Sequence, residues 1–341
     1  MPLLKQFYLY QKEKNNMFDI ITFGSATIDT FLELNKKDYQ ISKKNKTFCI
    51  PLGAKLLIDG LKILSGGGGT NTACTFSKQG FKVSYVGKVG QDKSGEHIIE
   101  ELKEFKVGTE FIKKDKKEIT AFSTILSTSI GERTVLFHKG ACHFMEKNDI
   151  PWDKIKNTKW FYSAPLSGKT SKLFKSLVDF AKKNNIKIAA NLGNSQINLD
   201  KKTLNPILSK LDVLILNEEE ASLLTKISIG DEIKTMKKLC SLCKGIIVVT
   251  KGKKGSIVSD GKYVFKAGIP PILAKEATGA GDSYASGFIS GLLKKNSIEY
   301  AIELATANST NCTQKIGAKN GLLKKDKWGS WPKVKVNKKL L

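Results

Sequence analysis

Arginine is almost missing from this chain. Arg133 stands alone among 57 basic residues, every other one being lysine, and the formal net charge is +25. So basic a protein invites a nucleic-acid partner, yet base readout and phosphate forks favour the planar guanidinium. The lysines are also spread along the chain, in helix-like stretches such as Phe174–Lys183 and Asp231–Leu239, as on solvated helix faces. No nucleic-acid partner is expected. A positive field of this kind still attracts an anionic small molecule such as a nucleotide.

Histidine and cysteine are sparse, three and six residues. Cys240 and Cys243 make one Cys-x-x-Cys, but no second pair has zinc spacing and no histidine completes a site. In a helix-like segment that offset places two small side chains on one face, which reads as packing. Reduced thiols fit a cytoplasmic protein. Long apolar runs are lacking as well: none approaches the roughly 20 residues that span a bilayer, so no membrane partner is expected. Residues 1–16 are rich in Lys, Asn and Gln without a signal-like apolar core. They are expected to be a disordered extension, or to precede a start at Met17. The Lys-rich tail, 324–341, is expected to be weakly ordered.

What is present is an alternation of short apolar runs and helical patterns. Strands are predicted at Phe18–Gly24, Val83–Val86, Lys159–Ser163, Ile186–Asn191, Val213–Leu216 and Gly245–Thr250. Helices are predicted between them, at Thr70–Gln79, Glu96–Phe105, Ser171–Lys183, Lys202–Lys210 and Ile233–Leu239. That order implies an α/β fold: a doubly wound, mainly parallel sheet flanked by helices. A single domain is expected over 17–323. Residues about 30–51 and 119–138, with a hairpin around Gly131, are expected to add a small β flap. Ligands in such sheets bind beyond the C-terminal strand ends.

The most informative stretch is Glu276-Ala-Thr-Gly-Ala-Gly-Asp282, which runs into a helical segment, Ala280–Lys294. A helix N-terminus offers free N–H groups and the positive end of its dipole to an anion. Asp282 places a carboxylate at that anion site, where a candidate general base would stand. A carboxylate in the first turn is also what the dipole alone favours. Gly279, Ala280 and Gly281 are candidate N–H donors to a bound phosphate at that helix end. A second phosphate-like segment, Ser163–Thr170, imitates a Walker loop but lacks its first glycine and carries Pro165, which removes an N–H.

Gly-Ala-Gly-Asp opening a late helix resembles the C-terminal signature of the PfkB (ribokinase-like) family of sugar and nucleoside kinases. Gly24–Asp29, Gly66-Gly-Gly-Gly-Thr-Asn71 and Asn217-Glu-Glu-Glu220 resemble three further family segments, in the family's order. The resemblance covers roughly Phe18 to Leu323. It implies an ATP- and magnesium-dependent phosphotransferase acting on a hydroxyl of a small sugar. The alternatives are a nucleoside kinase of the same family and a protein that binds nucleotide and sugar without turnover.

By the same resemblance Asp29, Gly66, Gly67, Gly68 and Asn71 hold the sugar. A carboxylate can accept from two hydroxyls of a diol, and Asn offers both a donor and an acceptor. Gly68 stands where some family members carry Lys, which makes ribose a less secure guess. Asn217, Glu220, Thr250, Gly252 and Asn308 fall on the nucleotide side, with Glu220 reaching magnesium through water. Asn followed by Glu three residues later is also a capping arrangement. Lys251, Lys253 and Lys254 are expected to be solvated. Glu276 replaces the family's usual Asp near a monovalent-cation site, leaving potassium dependence in doubt. A homodimer through the flap is a further implication.

Overall fold

The structure, a computed structural model, describes residues 17–42, 47–127 and 133–341. The expected extension 1–16 and the turn around Gly131 lie outside the described residues. In chain order the first strands are β1 (Phe18–Phe23), β2 (Thr27–Leu34), β3 (Gln40–Ser42), β4 (Thr47–Cys49) and β5 (Ile58–Gly66). Next come β6 (Val83–Gly90), β7 (Ile112–Asp115), β8 (Ala121–Ser127), β9 (Arg133–His138), β10 (Thr158–Ser163) and β11 (Lys187–Asn191). The last are β12 (Val213–Asn217), β13 (Ile246–Thr250), β14 (Ser256–Ser259), β15 (Tyr263–Ala267) and β16 (Val336–Leu340).

Ten strands form the main sheet, in the order β16-β15-β14-β13-β12-β11-β10-β1-β6-β7. It is parallel from β7 to β13, and β14, β15 and β16 close one edge antiparallel. The central strands are apolar throughout because both faces are covered. Along β12, Val213 and Ile215 enter one core, while Leu214 and Leu216 enter the other. One layer of helices includes Leu173–Lys183, Lys201–Leu208 and Glu232–Leu242. The opposite layer holds α1 (Gly68–Lys78), Lys93–Glu104, and the late pair α3 (Ala280–Lys295) and α4 (Ile298–Cys312); α2 (Glu218–Thr225) follows β12.

The second sheet is small, in the order β5-β2-β8-β9. All its pairs are antiparallel except β2–β8. It stands at the C-terminal end of β1 as a lid. Strand β5 was not legible in the sequence, where Leu, Lys and Gly interrupt any alternation. The expected strand near Thr47 pairs instead with Gln40–Ser42 in a separate two-stranded ribbon.

The lysine-rich tail is a correction. It does not hang loose: β16 pairs with β15 along Tyr263–Ala267. The Lys338 ammonium lies 4.4 Å from the Tyr263 ring centroid and 5.2 Å from that of Phe265. A cation over a ring face, with its stem on apolar surface, lets lysine cover an edge strand and keep it from pairing with other chains. Removing residues 333–341 takes away this ladder. The truncated chain should melt roughly 5 °C lower, from several lost ladder bonds worth about 1 kcal/mol each, in a thermal unfolding scan.

Candidate active site at the lid

Two helix N-termini meet beneath the lid. Gly279 is the residue before α3, at φ 76°, and a Cβ there would lie 2.3 Å from the Ala318 Cβ, so only glycine makes this turn. Asp282 follows in the first turn. Asn71, in the first turn of α1, donates from Nδ2 to Asp282 Oδ2 at 2.9 Å. The Asn71 Oδ1 is buried without a partner, an acceptor that costs free energy until a hydroxyl or N–H meets it.

Asp29 projects from β2 on the other side of the glycine turn. Its Oδ1 accepts from Ser123 Oγ at 2.6 Å and Thr27 Oγ1 at 3.1 Å. A Cβ on Gly66 would stand 2.0 Å from Asp29 Oδ2, and one on Gly68 would stand 3.3 Å from Asp282 Oδ1. The two carboxylates therefore flank the Gly66–Gly68 turn. Burial raises the pKa of Asp29, against the pull of its two hydroxyl donors. Asp282 keeps some solvent contact as a residue, while its carboxyl is enclosed by protein. Burial is the largest cause raising its pKa above the usual aspartate range; the Asn71 bond opposes it and the Asp29 charge adds to it.

The second cluster lies at the ends of β12 and β13, where Asn217 and Thr250 pair in register. Asn217 Oδ1 accepts from Glu220 N at 2.7 Å, and Glu220 Oε2 accepts from Asn217 N at 2.8 Å, a reciprocal cap for α2. Burial raises the Glu220 pKa. Gly252 is exposed in the turn after β13. The Tyr162 hydroxyl of β10, fully buried and without a partner, feels the charges of Asp282 and Glu220, so both clusters share one edge of the sheet.

Three expectations meet a different structure. Asn308 is fully buried, and its amide is already occupied: Nδ2 donates to the Ser283 carbonyl at 2.8 Å and Oδ1 accepts from Leu323 N at 2.9 Å. It clamps α4 to α3 and leaves no polar group for a base. The Ala280 N–H turns back to the Ala277 carbonyl at 3.2 Å, unlike the amides of Gly281 and Asp282, which belong to a helix's unpaired first turn. Lys251 is not solvated: it pairs with Glu232, which also holds Lys266.

The Walker-like segment Ser163–Thr170 packs against the glycine turn at Gly68. A Cβ on Gly68 would lie 3.1 Å from Ala164 Cβ and 3.7 Å from Pro165 Cδ. Ser123, Thr27 and the lid's Arg133 were missed. Nothing local marks Ser123; only the β2–β8 register sets it beside Asp29.

A family model described as pfkB family carbohydrate kinase matches residues 44–325. Ribokinase of Haemophilus influenzae is 27% identical over 279 residues, covering 79% of this chain and 88% of that protein. 5-Dehydro-2-deoxygluconokinase of Bacillus subtilis is 26% identical over 318 residues, covering 89% and 91%. A solved structure of Arabidopsis thaliana ribokinase complexed with ribose and ATP superposes with a TM-score of 0.75 at 21% identity, covering 90% of this chain and 96% of that one.

Because folding raises the Asp282 pKa, the native state binds its proton more tightly than the unfolded chain does. Stability on that account falls as pH rises from the unfolded value through the native one. Asp282→Asn should therefore raise Tm by a few degrees at pH 7, with the gain fading below the ordinary aspartate range. Thermal scans across pH check it; an equal gain at every pH would refute burial of the charge as the cause.

Proposed function

The chain belongs to the pfkB family of carbohydrate kinases, and from that premise we propose that it transfers the γ-phosphoryl group of ATP to a hydroxyl of a small sugar at the Asp29–Asn71–Asp282 cluster. The observation that carries this reading is the Asn71–Asp282 hydrogen bond, which joins the polyol-holding turn to the anion-binding helix. Asp29 and the unpartnered Asn71 Oδ1 offer acceptors to sugar hydroxyls. Asp282 then stands beside the hydroxyl that reacts.

In the proposed step Asp282 takes the hydroxyl proton. The sugar oxygen bonds to the γ-phosphorus, and the bond from that phosphorus to the bridging oxygen breaks, its electron pair leaving on ADP. A raised pKa suits the base, since it strengthens proton uptake. First-turn amides of α3 stabilise charge on the phosphoryl oxygens as it moves. The helix supplies these donors already oriented, so no water need reorganise.

Magnesium fits the nucleotide side. It is a hard cation that keeps several waters, and the cap of α2 uses Glu220 Oε2 and leaves Oε1. Glu220 would hold the ion through water, with Asn217, Thr250 and Gly252 near the nucleotide, and the ion would neutralise the triphosphate. A monovalent cation is not proposed, because Glu276 already pairs with the Arg133 guanidinium through Oε1. The six cysteines are free thiols, which supports a cytoplasmic setting.

The outer face of the lid carries Leu61, Ile63, Phe122 and Leu136, all exposed and on one side by register. We propose that a second copy of the chain covers this face. Leu61→Lys with Leu136→Lys should convert a dimer to a monomer in sedimentation equilibrium; a wild-type monomer at micromolar concentration would dismiss the dimer.

The activity is tested by coupled ADP release against pentoses, hexoses, sugar phosphates, sugar acids and nucleosides. Sugar-dependent release is expected. Asp282→Asn should lower kcat by about 10²- to 10⁴-fold with ATP binding kept. Release with nucleosides alone would favour the nucleoside reading, and no release with any acceptor would favour a protein that binds without turnover.

A further inference from the structure

Arg133 begins β9, at the tip of the lid. The ladders align it with Ser127 and Glu33, four residues beyond Asp29. That places it roughly 13 Å farther out along the sheet, at about 3.3 Å per residue. From the tip its Nη1 reaches Glu276 and donates to Thr278 Oγ1 at 2.8 Å. Glu276 Oε1 also accepts from Thr278 N at 2.8 Å and Thr278 Oγ1 at 2.6 Å, which shapes the turn leading directly into Gly279. The Glu276 carboxylate is largely buried, and its Oε2 has no partner.

A buried carboxylate three residues before a phosphate-binding turn repels the anion that turn must hold. The guanidinium cancels that charge, and it is carried on the lid. Both contacts come from the one nitrogen Nη1, whose N–H groups meet a carboxylate and a hydroxyl together. This is the one arginine in a chain otherwise basic through lysine.

We propose that Arg133 is a positioning residue for phosphoryl transfer: with the lid down it neutralises Glu276 and fixes the 276–278 turn, so that the first-turn amides of α3 accept the phosphoryl group only over a covered sugar. The proposal rests on the kinase reading above. Closure then does two things together. It excludes water, which competes as acceptor, and it removes the negative charge beside the phosphate.

The test is a cycle of Arg133→Ala, Glu276→Gln and the double variant in the full chain, read by kcat, KM for ATP, and ADP released per sugar phosphate formed. Arg133→Ala should lower kcat by about tenfold or more and raise KM for ATP, since small misplacements at such sites cost up to 10²-fold. It should also raise uncoupled ADP release. Glu276→Gln in that background should recover much of the loss, because the stranded charge is gone. Arg133→Lys, which keeps the charge on a shorter side chain, should fall between; it also serves if Arg133→Ala misfolds.

An Arg133→Ala enzyme within about twofold of wild type, or a double variant no better than Arg133→Ala, overturns the proposal. If wild type turns over no acceptor, the kinase reading fails rather than the latch. Amide hydrogen exchange then decides the latch alone: Arg133→Ala should speed exchange in both 133–138 and 276–281, and unchanged exchange in either segment overturns it.

Discussion

The site depends on one hydrogen bond between residues 211 positions apart, Asn71 to Asp282. It ties the first turn of α1 to the first turn of α3, and so sets the Gly66–Gly68 turn against the Gly279–Asp282 turn. Both helices point their N-termini at the same point, and each first turn leaves amides unpaired. Two positive helix ends facing each other would repel. Asp282 lies between them and is stabilised by both, which offsets part of the cost of burying its charge.

Charge management explains much of what surrounds this point. The chain is strongly basic, yet the candidate site is acidic, with Asp29, Asp282 and Glu276 near one another. Several partly buried lysines are paired to carboxylates: Lys319 with Glu101 at 2.7 Å, Lys88 with Asp115 at 2.8 Å, and Lys251 with Glu232. Other lysines make contacts nearer the surface, as Lys338 does over the Tyr263 and Phe265 rings, and the excess of lysine supplies a long-range field. Arg133 brings a cation to the 276–278 turn, and it does so from the lid.

Much of the main sheet was legible because burial on both faces demands continuous apolar runs. Lys159–Ser163, Val213–Leu216 and Gly245–Thr250 fall within a residue or two of β10, β12 and β13. The helix Ala280–Lys294 was legible to within a residue of α3, opened by the positive-φ Gly279 and closed at Asn296 in the left-handed region. The lid was harder. Its strands have one solvated face or none buried, so β5 and β9 show no clean alternation. The edge strand β16 was illegible because its order comes from β15 and from lysines lying over rings, not from its own composition.

The glycine turns and the Asp at the head of a helix are local chemistry, since a positive-φ turn and a free helix end are properties of a few adjacent residues. The sequence alone therefore determined the class of fold and singled out two carboxylates, which the structure sets on either side of one glycine turn. Which residues meet was decided only by tertiary structure. The parallel register sets Ser123 beside Asp29, the packing of α4 on α3 uses up Asn308, and the lid's reach brings Arg133 to Glu276. Such contacts span tens to hundreds of residues, and no local pattern encodes them, because their energies depend on the geometry of the whole sheet.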